Sequence, residues 1–149
     1  MTRIVISGAS GDLARRVTQQ LLAADPLREL TLVTRTPANI NVHGPHVDVR
    51  PGDFEKPELF DDAYRDGDIL LLVSGLNLGR RTAEHRKAIE AAKKSGIRHI
   101  VYTSVGGVQP AIRPYRRSTT TRVNRAGFDA ASVFVKDADH AQALPTRAA

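Results

Sequence analysis

Gly8, Gly11 and Ala14 stand three residues apart in the run Gly8-Ala9-Ser10-Gly11-Asp12-Leu13-Ala14. Small residues at that spacing suit the cradling of a pyrophosphate. The first glycine permits a tight turn, and the second lets the backbone approach phosphate oxygens with no Cβ in the way. A small third residue lets the following helix pack closely on the sheet. A helix opening at Asp12 would aim its free N–H groups and positive dipole end at the same anion. A Gly-rich turn without a ligand has the same composition, so the surrounding elements decide. Asp12 raises an objection. Its carboxylate would compete with phosphates for the first-turn amides, unless it points outward and simply favours the dipole.

Arg35 lies 21 residues after Ala14, and no Asp or Glu occurs between Thr31 and Asn41. An acid at this place would accept the ribose 2′-hydroxyl of NAD, whereas an arginine suits the 2′-phosphate of NADP. A solvated loop arginine is the competing reading, and Arg15 and Arg16 could add positive charge nearby. Asp53 follows Pro51-Gly52, where it could either accept a bond from the adenine amino group or serve as a turn residue. Ser74-Gly75 and Thr103-Ser104 close two further apolar runs. Ligands of open α/β sheets bind at the carboxyl ends of strands, which makes these residues candidate neighbours of ribose and nicotinamide.

The elements needed to position these residues are legible in hydrophobic periodicity. Arg3–Ser7, Leu30–Thr34, Asp68–Val73 and Arg98–Tyr102 are short, continuous apolar runs, with a weaker one over His46–Val49. Such runs suit parallel strands covered by helices on both faces. Leu13, Val17 and Leu21 recur every four residues, predicting a helix that ends near Asp25-Pro26. Residues 57–66 are read as helical. Arg80–Ser95 forms the clearest helix, with Glu90 and Lys94 at i,i+4 and Gly96 as its stop. Strand and helix patterns alternate up to Ser104, the mark of an α/β domain with a parallel sheet. After Val108 the regularity is lost, apart from a candidate strand over Ala130–Val135.

The composition narrows the function classes. The chain has 149 residues, 41% hydrophobic and 26% charged, enough for one domain with a substantial core. Without cysteine, disulfides, thiolate chemistry and cysteine-ligated zinc are excluded. No stretch of 18 apolar residues predicts a membrane span. No signal peptide is read at the amino terminus, so a cytoplasmic location is expected. The net charge of +6 divides unevenly, with +4 over residues 109–149 and +2 over residues 1–108. The basic tail lacks interleaved aromatics and any nucleic-acid reader motif, so only non-specific, salt-sensitive contact would follow from it.

Taken together, Gly8–Val17, Val33-Thr34-Arg35, Gly52-Asp53-Phe54 and His85–Ser104 appear in order. The combination resembles the NmrA-like, atypical short-chain dehydrogenase/reductase family, particularly its NAD(P)H-dependent quinone oxidoreductase branch, over about residues 3–108. The resemblance implies a Rossmann-type doubly wound parallel sheet of about five strands in the order 3-2-1-4-5. It implies NADP(H) as the preferred cofactor, bound by Gly8, Ala9, Ser10, Gly11, Asp12, Leu13, Arg35, Ser74, Gly75 and Leu76. Asp53, Thr103 and Ser104 complete the candidate set. The implied reaction is hydride transfer from NADPH to a small substrate such as a quinone.

Two departures bear on that expectation. The Tyr-x-x-x-Lys pair of many short-chain dehydrogenases is absent, since Tyr102 is followed four residues later by Gly106 and Tyr115 by Thr119. No catalytic acid is therefore assigned. Family members run to roughly twice this length, and here the likeness stops near Val108. The expectation is a Rossmann domain over 1–108 and a divergent, weakly structured basic tail over 109–149, as a frameshift or truncation would produce. A non-catalytic NADP(H)-binding sensor is the alternative function, since NmrA itself senses nicotinamide cofactors. An exposed sheet edge would favour homo-oligomers. His85 falls on the apolar helix face and is read as a packed histidine. The remaining histidines have no metal-ligand spacing with acids.

Overall fold

The computed structural model describes residues 1–73, 81–105 and 129–135. These form β1 (Ile4–Ser7), α1 (Asp12–Ala24), β2 (Leu30–Thr34), β3 (Val47–Pro51), α2 (Phe60–Ala63), β4 (Ile69–Leu72), α3 (Arg81–Lys94), β5 (His99–Val105) and β6 (Asp129–Val135). All pairings between neighbouring strands are parallel, in the order β3-β2-β1-β4-β5-β6. The expected order 3-2-1-4-5 is thus present, extended by one strand. That strand, β6, comes from the segment after Val108 and covers the candidate run over 130–135. It pairs with β5 along seven residues, from His99 opposite Asp129 to Val105 opposite Val135.

Alternation along the strands feeds two apolar layers, one on each face of the sheet. Val5, Val33, Leu70 and Ile100 pack with Phe60 of α2 and with Ala88 and Ala92 of α3. Ile6, Leu30 and Leu32 pack with Ala14 of α1, and its Val17 and Leu21 lie against them. The small residue expected at position 14 is fully buried there. Gly96 ends α3 at φ +80°, a left-handed conformation that costs glycine little. The Ile97 N–H then reaches the Ala92 carbonyl at 3.0 Å and the Gly96 N–H reaches that of Lys93 at 3.2 Å, satisfying carbonyls that the helix end leaves open.

The helix read over 57–66 is shorter in the structure. Pro57–Leu59 form a 3-10 turn and only Phe60–Ala63 are α-helical. Pro57 fixes the first turn but donates no N–H, and Asp66 at φ +63° followed by Gly67 reverses the chain. Within this segment Phe60 stacks on Tyr64 with ring centroids 5.0 Å apart. The Tyr64 hydroxyl is buried with no hydrogen-bond partner among the described residues, and burial pushes its pKa up.

The starts of the strands are tied together by charge. Arg3, just before β1, donates its N–H to Asp68 at 2.9 Å and its guanidinium to Asp48 at 2.7 Å. Arg50 joins Asp48 at 3.0 Å and also donates to the carbonyl of Arg65 at 2.8 Å. Arg98, before β5, pairs with Asp68 at 2.8 Å. Burial alone would raise the Asp48 pKa, but the bonds from Arg3 and Arg50 outweigh it and hold the carboxyl below its ordinary value. The Arg3 backbone N–H, then Arg98, lower that of Asp68. Carboxyls depressed in the folded state contribute stability above their unfolded pKa, and that contribution is lost as pH falls through the folded value. The urea midpoint is therefore expected to be level above about pH 5 and to drop below about pH 4. The Asp68→Asn variant should show a shallower drop; an equal drop would remove Asp68 from the cause.

Candidate functional site

The carboxyl ends of the strands lie opposite this charged edge. The chain leaves β1 at Gly8, which sits at φ +67° with space for a Cβ only against Val73, 3.6 Å away. The Ala9 N–H bonds the Val33 carbonyl of β2 at 3.0 Å, and the Gly11 N–H bonds the Gly8 carbonyl at 2.9 Å. A Cβ on Gly11 would come within 3.2 Å of that same carbonyl, a tight approach that glycine avoids. Gly11 caps α1 without any side-chain hydrogen bond. The first-turn amides of α1 consequently face outward at the end of the loop, as anion binding requires.

Asp12 does not cap its own helix. It pairs with Arg15 at 3.3 Å and Arg16 at 2.9 Å on the exposed side of α1, which leaves the amides to a ligand and answers the objection raised by the sequence. The same pairs engage Arg15 and Arg16, so they add less positive charge than free arginines would. Leu13 is half-buried beside the loop and Ser10 is exposed at its crest. Arg35 follows the last residue of β2 and is exposed, with no ion pair to the described residues.

Asp53 is half-buried after β3. Its Oδ1 accepts the Glu55 N–H at 3.0 Å and its carbonyl accepts the Lys56 N–H at 3.0 Å, so the turn role is present and Oδ2 carries no part of it. Thr103 is buried within β5, which runs on to Val105 rather than ending at Ser104. Ser74, Gly75 and Leu76 lie outside the described residues. His85 is buried, with its ring centroid 6.2 Å from that of Phe54, and packs as expected. No metal-binding cluster occurs among the described residues, and no helix among them is long and apolar enough to cross a membrane.

Three residues that shape this edge are not among the candidate site residues read from the sequence. Ser7 is buried and donates to the Leu71 carbonyl at 3.2 Å while accepting the Val73 N–H at 3.0 Å. It thereby ties β4 to β1 where the order of strands reverses, the place where open sheets receive ligands. Thr34 reaches Ser10 across the loop at 3.2 Å. Gly52 is buried beneath β2, its N–H bonded to the Thr34 carbonyl at 3.0 Å. The available signal was a hydroxyl at the last position of two apolar runs.

Comparison with known proteins gives this edge its context. A family described as NAD(P)H-binding matches residues 8–146. The chain belongs to that NAD(P)H-binding family. The match extends beyond Val108, further than the resemblance legible by eye. Among curated relatives, quinone oxidoreductase 2 of Escherichia coli is 32% identical over 103 residues, covering 68% of this chain and 36% of the relative. The NmrA-like family domain-containing oxidoreductase flvB of Aspergillus flavus is 28% identical over 108 residues, covering 69% and 35%. Among solved structures, the NADPH complex of NADPH-dependent quinone oxidoreductase QOR2 from E. coli superposes with a TM-score of 0.75 at 27% identity, covering 89% of this chain and 47% of that one. The chain spans little more than a third of the curated relatives it matches. The NAD(P)H-binding family and the NmrA-like oxidoreductase kinship expected from the motifs both stand.

Proposed function

We propose that this NAD(P)H-binding chain prefers NADPH to NADH and serves two-electron reduction of a small acceptor such as a quinone. The observation that carries the preference is Arg35. It is exposed just past the end of β2, whose last residue Thr34 reaches Ser10 of the glycine loop, and no acid between Thr31 and Asn41 is available to receive a ribose 2′-hydroxyl. The cradle fits a dinucleotide: Gly8 and Gly11 carry no Cβ where the loop leaves β1 and enters α1, and among the described residues no side chain caps the α1 amides. When bound, the reduced nicotinamide supplies a hydride, which with one proton converts a quinone to its hydroquinone.

The chain's own contribution is binding and orientation. The backbone amides of Ser10, Asp12 and Leu13 would hold the pyrophosphate in the loop that Gly8, Ala9 and Gly11 shape, and Arg35 would hold the 2′-phosphate. Asp53 takes the adenine amino group through Oδ2. By the family resemblance, Ser74, Gly75, Leu76, Thr103 and Ser104 would border the ribose and nicotinamide. A binding protein without turnover is the second reading. It is favoured by Tyr102, which is buried in β5 and has Gly106 where a pKa-lowering lysine would stand.

Calorimetric titration with NADPH and, separately, NADH tests the proposal. NADPH should bind at least about tenfold more tightly, a difference near 1.4 kcal/mol. Equal binding would remove the role of Arg35, and no binding by folded protein would overturn the reading. Oxidation of NADPH in the presence of a quinone then separates enzyme from binding protein.

A further inference from the structure

We propose that Thr34 is a positioning residue, the middle of a directional hydrogen-bond relay that turns Ser10 into a dedicated donor to a cofactor phosphate. This inference rests on the NADPH-binding reading above and assigns a specific arrangement within it. Thr34 ends β2 and is 2% exposed, so its hydroxyl must find its partners inside the protein. It has two. The Thr36 N–H donates to Thr34 Oγ1 at 3.3 Å, and Thr34 Oγ1 donates to Ser10 Oγ at 3.2 Å.

The direction follows from the need to satisfy the buried hydrogen. An amide can only donate, so the Thr36 N–H takes a lone pair of Thr34 Oγ1 and offers the hydroxyl hydrogen no acceptor; among the described residues Ser10 Oγ is the acceptor within reach. Ser10 Oγ, once it accepts that hydrogen, keeps its own for something beyond. Ser10 is exposed at the crest of the loop, between the uncapped start of α1 and the turn that carries Arg35. An anion there would receive the hydrogen. Each donor in such a chain polarises the next, which strengthens the terminal bond.

Both ends of the relay are fixed by backbone. The Ala9 N–H is held by the Val33 carbonyl at 3.0 Å, and the Thr34 carbonyl is held by the Gly52 N–H at 3.0 Å. Thr34 therefore links the loop that cradles one phosphate to the turn that presents Arg35 to another. Valine has almost the same shape but can neither accept from Thr36 nor donate to Ser10, whereas serine keeps both functions.

The test compares wild type, Thr34→Val and Thr34→Ser by calorimetric titration with NADPH and NADH, alongside thermal midpoints. Thr34→Val should weaken NADPH binding by about tenfold and Thr34→Ser by no more than about twofold. A loss confined to NADPH places the Ser10 hydrogen on the 2′-phosphate, and an equal loss for both cofactors places it on the pyrophosphate. Either supports the relay. If wild type binds and Thr34→Val binds equally well, or if Thr34→Ser is as weak as Thr34→Val at an unchanged midpoint, the relay is overturned while the NADPH reading stands. If wild type binds neither cofactor, both fall.

Discussion

Replacing Arg35 by aspartate is expected to weaken NADPH binding by about a hundredfold, near 3 kcal/mol, while leaving NADH binding equal or improved. The substitution removes a charge-assisted, potentially bidentate contact to phosphate and puts a like charge in its place. For NADH the same carboxylate becomes an acceptor for the ribose hydroxyls. Because Arg35 is exposed and holds no ion pair among the described residues, its replacement should barely move the thermal midpoint. That separates a binding effect from a folding effect. The measurement is the ratio of NADPH to NADH dissociation constants before and after substitution. An unchanged ratio would show that the 2′-phosphate lies elsewhere.

The second large effect concerns stability. A Cβ at Gly52 would lie 2.2 Å from Val33 Cγ1, and Val33 is 1% exposed in the middle of the sheet. Valine has few rotamers with which to yield, and its neighbours are closely packed. Gly52→Ala is therefore expected to cost about 3 kcal/mol, the upper part of the range for overpacking. Val33→Ala alone should cost about 2 kcal/mol through the cavity it leaves. In the double variant the new methyl enters the space vacated by Cγ1. Its cost should lie close to that of Val33→Ala rather than the sum of the two, a coupling that chemical denaturation can read directly. Simple additivity would mean that the backbone at Gly52 moves instead.

The reason the glycine is needed there was not visible from residue types. Gly52 reads locally as part of a turn, and its constraint comes from Val33 of the neighbouring strand, 19 positions earlier in the chain. By contrast, the first five strands and the loop from Gly8 to Leu13 are legible, because continuous apolar runs and a strand–glycine–helix succession depend on neighbours in sequence. The outward role of Asp12 was only half legible. The i,i+3 and i,i+4 arginines are present in the sequence, but whether the carboxylate prefers them to its own helix amides is a matter of geometry. Ser7 and Thr34 were passed over for a similar reason. Each ends an apolar strand and looks like a boundary residue until its partners on another strand are known. The helix read over 57–66 was cut short because Pro57 and the Asp66–Gly67 reversal outweigh a permissive composition.

The parallel order also dictates how the molecule must assemble as it is synthesised. β1 is made first, yet it lies between β2 and β4, so Ile4 pairs with Leu30 on one side and with Ile69 on the other. Loop-closure entropy opposes the second pairing more than the first, and such distant contacts slow folding. A nascent chain ending after β2 could already close the contact between Ala9 and Val33, and so shape half of the glycine loop. The other wall, where Ser7 holds Val73, waits for nearly the first half of the chain to be made. Until then the amides that would receive a dinucleotide stand beside an unfinished strand, and ligand can reward folding only after that second pairing has closed.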